Sequence, residues 1–167
     1  ETLNGSIVFF NNNGTFLNQV TVGALPDMIT FSPDGTKVMT ANEGQPNTDY
    51  SIDPEGSVSI VDISGGIASL SQSNVTTLLF TAYNTQEATL IASGVRKLKS
   101  TSTLSQDFEP EYITISADSQ KAWVTLQENN AIAEINLTNN TISDVWALGT
   151  KDISLPGNGF DVSDNNG

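Results

Sequence analysis

A chain of 167 residues, 37% of them hydrophobic, is long enough to bury a core and too apolar to remain disordered. Nineteen acidic residues against six basic ones leave a net charge of −13, which argues against nucleic acid or an anionic membrane as a partner. Cysteine and histidine are both absent, so there is no disulfide framework, no thiol chemistry and no imidazole to act as acid, base or zinc ligand.

No apolar run approaches the roughly 18 residues that span a bilayer. The opening Glu1-Thr2-Leu3-Asn4 lacks the basic and apolar regions of a signal peptide, which suits a mature chain whose signal has been removed. N-x-S/T sequons at Asn4, Asn13, Asn74, Asn136 and Asn139 permit secretion without requiring it.

In chain order, Gly5-Ser6-Ile7-Val8-Phe9-Phe10 predicts a strand, Asn11-Asn12-Asn13-Gly14 a turn, and residues 16–21 a second strand. Next comes a longer pattern. Pro26-Asp27-Met28-Ile29-Thr30-Phe31-Ser32-Pro33-Asp34-Gly35-Thr36-Lys37 returns 84 residues later as Pro110-Glu111-Tyr112-Ile113-Thr114-Ile115-Ser116-Ala117-Asp118-Ser119-Gln120-Lys121. Each copy reads as a strand, a Ser-x-Asp turn of type I and a second strand, residues 38–41 or 122–125. A third strand follows at 56–62 and 131–136, and a fourth at 75–80 and 141–146. Residues 5–10 and 16–21 match the third and fourth strands of an earlier unit.

Repeated four-stranded antiparallel units with Asn/Gly turns predict an all-β chain, part of a β-propeller. The count is a partial blade at 1–22, a blade at 23–83, a helical insertion at 84–106, a blade at 107–148 and the start of another at 149–167. In the insertion, Asn84-Thr85-Gln86-Glu87 reads as a capping box, residues 88–93 as a short helix, and Gly94 as its left-handed stop. A ring of ~4–8 blades needs more than this. The expectation is a second polypeptide that completes it, the remainder of one precursor cleaved after Asn165-Asn166-Gly167 and pairing with residues 5–21.

Four acidic clusters fall at strand ends, where loops carry function. They are residues 42–56, Asp107-Phe108-Glu109-Pro110-Glu111-Tyr112, Gln127-Glu128-Asn129-Asn130, and residues 151–164. The repeat relates Asp27 to Glu111, and the Gln127-Glu128 end is the counterpart of Asn42-Glu43. Carboxylates and Asn carbonyls converging on an axis make a hard-oxygen site for calcium or magnesium; the same residues also make turns. Asp161-x-Ser163-x-Asn165 begins like a calcium loop, but its glycine comes one place late, at Gly167.

The stretches N-E-G-Q-P-N-T-D-Y-S-I-D-P-E-G-S-V-S-I-V-D, Q-E-A-T-L-I-A-S-G-V-R, D-F-E-P-E-Y-I-T-I-S, T-L-Q-E-N-N-A and K-D-I-S-L-P-G-N-G-F-D-V-S-D resemble the choice-of-anchor I domain family. This family includes mesenchyme-specific cell-surface glycoproteins and alkaline phosphatase-like bacterial proteins. The resemblance runs from about Gly5 to Gly167. It implies a secreted or surface-anchored propeller of roughly twice this length, associated with calcium handling or phosphate-ester cleavage. Its matching acidic positions are Glu43, Asp49, Asp53, Glu55, Glu109, Glu111, Glu128, Asp152, Asp161 and Asp164.

The expected function is therefore an extracellular, non-enzymatic propeller that binds calcium, a small ligand, or both. Two alternatives stay open: a phosphoesterase whose carboxylate-bound calcium activates water, and a carrier of an apolar small molecule.

Overall fold

The computed structural model describes residues 2–159. Among them, ten antiparallel strands form three sheets. Sheet I pairs β1 (Asn4–Phe10) with β2 (Phe16–Ala24). Sheet II runs β3 (Pro26–Phe31), β4 (Lys37–Asn42), β5 (Ser57–Asp62), β6 (Val75–Leu79), each strand bonded to the next. Sheet III repeats that order as β7 (Pro110–Ile115), β8 (Lys121–Leu126), β9 (Ala131–Asn136), β10 (Thr141–Ala147). The repeat read from sequence is thus a repeat of sheets.

The Ser-x-Asp segments are turns of one design. The Ser32 hydroxyl donates to Asp34 Oδ1 at 2.6 Å while Gly35 N–H donates to the Ser32 carbonyl at 2.9 Å. Ser116, Asp118 and Ser119 reproduce both bonds, at 2.6 and 2.8 Å. The bonds from serine and backbone hold Asp34, Asp49, Asp62, Asp118 and Asp152 below the usual carboxylate range. The two repeat turns also touch each other, Asp34 N–H donating to the Ser119 hydroxyl at 3.1 Å.

Alternation along each strand sends successive side chains to opposite faces, and the sheets stack by burying facing sets. Ile7, Phe9, Val20 and Val22 of sheet I meet Val38 and Val61 of sheet II. The other face of sheet II, with Met39, Ala41, Val58 and Ile60, meets Ile113, Ala122, Val124, Leu126, Ala133 and Ile135 of sheet III. The sheets therefore follow one another in space as they do in sequence.

The insertion is richer than expected. It holds α1 (Glu87–Ser93), preceded by 3-10 turns over Thr81–Gln86, and a one-turn α2 (Leu104–Asp107). Gly94 stops α1 in the left-handed conformation, φ 111°. The capping box expected at Asn84–Glu87 does not form: Gln86 occupies the N-cap position of α1 and gives no side-chain cap. Asn84 is used elsewhere, accepting from Ser105 N–H at 2.8 Å and donating to the Ser105 hydroxyl at 3.0 Å. A capping box sits instead on α2, between Thr103 and Gln106. Phe80 and Phe108, edge to face at 5.4 Å, pin both ends of the insertion into the core between sheets II and III. Among the described residues no helix is long and apolar enough to cross a membrane.

Candidate functional site

The acidic clusters divide into two kinds. Asp49 accepts from Ser51 N–H and hydroxyl at 3.1 and 2.7 Å, and Asp152 does the same with Ser154 at 2.9 and 2.7 Å. Asp53 accepts from the Ser102 hydroxyl at 2.6 Å and Glu55 from the Ser105 hydroxyl at 3.0 Å. These four carboxylates hold loops: two close turns, and two fasten the long β4–β5 connection to the insertion. Asp161 and Asp164, with the loop that resembles a calcium motif, lie outside the described residues.

Glu43, Glu109, Glu111 and Glu128 behave differently. Glu43 follows β4, Glu128 follows β8, and Glu109 and Glu111 bracket the start of β7, so neighbouring sheets deliver them to one end of the stack. All four are half-buried. Burial pushes Glu109 up to about 7 from 4.5, helped by the charges of Glu128, Glu43, Asp107 and Glu111. Burial also pushes Glu111 up to about 7, with Glu128, Glu43 and Asp27 adding to it. The leading charges on both are negative. With every carboxylate ionised, Oε2 of Glu128 is buried without a donor. A proton on Glu111 gives that pair a hydrogen bond.

Two residues outside the acidic set predicted from sequence build the frame. Asp107 accepts from Leu98 N–H at 2.9 Å and Lys99 N–H at 2.8 Å, fixing the strap after α1. The fully buried Asn129 donates to the Asp107 carbonyl and carboxylate at 2.9 and 3.0 Å, and its own Oδ1 accepts from Glu109 N–H. Arg96 closes the frame through N–H to the Asn129 carbonyl at 2.8 Å and Nε to the Glu128 carbonyl. The signal for these roles in sequence was only that both residues stand inside acidic clusters; their partners are 8 to 33 positions away.

Glu109 and Glu128 open onto a cleft of about 460 Å³, whose other wall is the β4–β5 connection from Gln45 to Tyr50 together with Leu98. Lys99 lies over the Tyr50 ring, 3.0 Å from its centre, and braces that wall. A separate cleft of about 340 Å³ between sheets I and II is lined by Asn4, Glu55, Gln72 and Thr77 and contains none of the four clustered glutamates. Among the described residues, no three carboxylates are already drawn into a ligand set for a metal ion. Bare carboxylates repel one another, so a cluster of this kind needs either protons or a cation to close.

Comparison with known proteins gives a family. The choice-of-anchor I domain matches residues 1–167. No curated protein matches significantly. A solved structure from Bacteroides fragilis, named for 6-phosphogluconolactonase, is similar at 14% identity and a TM-score of 0.44; it covers 81% of this chain, which spans 30% of that one.

Proposed function

This chain belongs to the choice-of-anchor I domain family, and from that premise we propose that it is a section of an extracellular β-propeller that binds a divalent cation, calcium, where β4, β7 and β8 converge. One arrangement carries the reading: Glu43, Glu109, Glu111 and Glu128, delivered by two successive units of the repeat, press on one another beside an open cleft. Calcium takes ~6–8 oxygen ligands in flexible geometry, so half-buried glutamates with water in the cleft suit it. The cation would replace the proton that otherwise relieves Glu111 and Glu128.

The propeller reading is supported by three antiparallel sheets stacked face to face in chain order, two of them with the same four-strand order. An exterior location is supported by the family name, which speaks of a domain joined to an anchor. A surface free of cysteine and rich in carboxylate also suits calcium-rich surroundings.

The test is calorimetric titration of calcium chloride into the chelator-treated chain at neutral pH, with magnesium as a control. We expect saturable binding, a rise in Tm through mass action, and at least a tenfold loss of affinity in the double variant Glu43→Gln, Glu111→Gln. Absence of heat, with an unchanged melting curve at millimolar calcium, would overturn the reading. The same samples are given p-nitrophenyl phosphate; calcium-restored turnover would replace a binding module by a phosphoesterase.

A further inference from the structure

We propose that the free edge of β1 receives a β-hairpin of the β3–β4 pattern, supplied by a polypeptide segment outside residues 1–167, which completes sheet I as a four-stranded sheet. The inference needs only the repeat and the packing of the sheets; it requires neither a bound cation nor a closed ring.

The repeat assigns β1 its place. In sheet II the matching strand, β5, is bonded on one side to β6 and on the other to β4; in sheet III β9 lies between β10 and β8. Among the described residues β1 is bonded to β2 alone. Its second edge is thus a row of backbone donors and acceptors at a position that is central in both companion sheets.

The side chains next to that edge point to the same occupant. In sheet III, Ile113 and Ile115 are packed into the core because β7 lies against β3 and β4 of the preceding sheet. Their counterparts one repeat earlier, Ile29 and Phe31, are 54% and 60% exposed. Among the described residues, nothing in sheet I stands where β3 and β4 stand for sheet III. A hairpin on the β1 edge would fill that place, continuing toward sheet I the interface that already joins sheets II and III. It would also pair with β1 as β4 pairs with β5, antiparallel and in the register that sets Lys37 against Asp62 and Asn42 against Ser57. A second copy of this chain cannot lend such a hairpin without dismantling a sheet, because β3–β4 and β7–β8 are both already built in. The donor is therefore another segment carrying the alternating strand, Ser-x-Asp turn, alternating strand pattern.

The experiment uses the full 167-residue chain in chelator, so that it reads the edge independently of calcium. The probe is a fluorescein-labelled synthetic peptide with the sequence of residues 26–42. We expect saturable anisotropy change, new hydrogen-exchange protection of the β1 amides from Ser6 to Phe10, and at least tenfold weaker binding to Ile29→Asp, Phe31→Asp. Because two aspartates add charge to an already acidic chain, Ile29→Thr, Phe31→Thr serves as a second variant and should also weaken binding. No binding, or equal binding by a scrambled peptide, overturns the proposal. So does self-association of the chain that either double variant abolishes, which would make a second copy the occupant.

Discussion

Ile29 and Ile113 hold the same place in the repeat, 84 residues apart, yet Ile29 is 54% exposed and Ile113 is 2% exposed. The difference comes from what each strand leans on. Ile113 on β7 packs against sheet II, and its N–H donates to Met28 Sδ at 2.9 Å; Ile29 on β3 lies on the face toward sheet I, which among the described residues has β1 and β2 alone. Two identical side chains on equivalent strands therefore contribute very differently to stability. Ile113→Ala should cost about 2–4 kcal/mol through lost burial and the cavity left behind, whereas Ile29→Ala should stay within about 0.5 kcal/mol, as for surface positions. Urea unfolding of both variants checks this; equal losses would mean that Ile29 is covered in solution.

Stability should fall as pH rises between about 5 and 8 in the absence of calcium. Glu109 and Glu111 each sit at about 7 in the folded chain against an ordinary 4.5. The folded state then holds these protons more tightly than the unfolded chain does. Their contribution is complete below about 4.5 and is lost as pH climbs through about 7. The lowered aspartates in the turns act only in the acid limb, below about pH 4, because their shift is downward from 3.8. Melting in chelator at pH 5.5 and pH 8 should give the lower Tm at pH 8, and Glu111→Gln should flatten the difference. A Tm that rises over this range would show that the four glutamates do not crowd one another.

Gly56 should tolerate no side chain. An added Cβ would lie 1.9 Å from the Phe108 carbonyl oxygen and 2.7 Å from Pro110 Cδ, and both belong to the segment that leads from α2 into β7. Its N–H also donates to the Ser105 carbonyl at 3.2 Å. Backbone, rather than a flexible side-chain tip, would have to move. Gly56→Ala is expected to cost more than about 3 kcal/mol, beyond ordinary overpacking, and to shift the near-ultraviolet signal of the aromatic core at Phe80 and Phe108. Gly35→Ala, at an open turn with nothing within 4 Å of its Cβ position, should cost far less, only the strain of its φ of 69°.

The strands were legible because their information is local. Alternation and turn residues within about ten positions placed all ten, and the repeat of Pro26–Lys37 at Pro110–Lys121 tied two sheets to one order. The insertion was less legible because its contacts are distant. Asn84 has the chemistry of a cap and the spacing to Glu87, but Ser105, 21 positions on, offers it two hydrogen bonds and wins. The acidic residues show the same limit. Composition marks Asp49, Asp53, Glu55 and Asp152 as readily as Glu43, Glu109, Glu111 and Glu128. Only the nearby serines of the first set, two of them in Ser102 and Ser105 about 50 positions away, separate loop fasteners from a cluster of crowded charge.

Asp107 gives the sharpest test of how that cluster is held. Its carboxylate is buried and takes two backbone N–H groups, from Leu98 and Lys99, and the Asn129 amide at 3.0 Å. The strap from Gly94 to Thr103 has no ladder of its own to satisfy those N–H groups, so Asp107 substitutes for a strand. Asp107→Ala should therefore leave two donors without an acceptor and cost about 2–4 kcal/mol. Asp107→Asn keeps one oxygen but turns an amide toward donors, and should fall between Ala and wild type. The loss should be local in hydrogen exchange: Leu98 and Lys99 amides lose protection by more than the global change in stability, while Ile135, in the centre of sheet III, loses only the global amount. Asn129 keeps its bonds to the Asp107 and Arg96 carbonyls in this variant but loses the carboxylate, so its grip on Glu109 N–H should loosen, and the calcium affinity proposed for the cluster should fall alongside. If Asp107→Ala costs under about 0.5 kcal/mol, the strap is held by Leu104, Val95 and Leu90 in the core instead, and Asp107 is not the frame of the cluster.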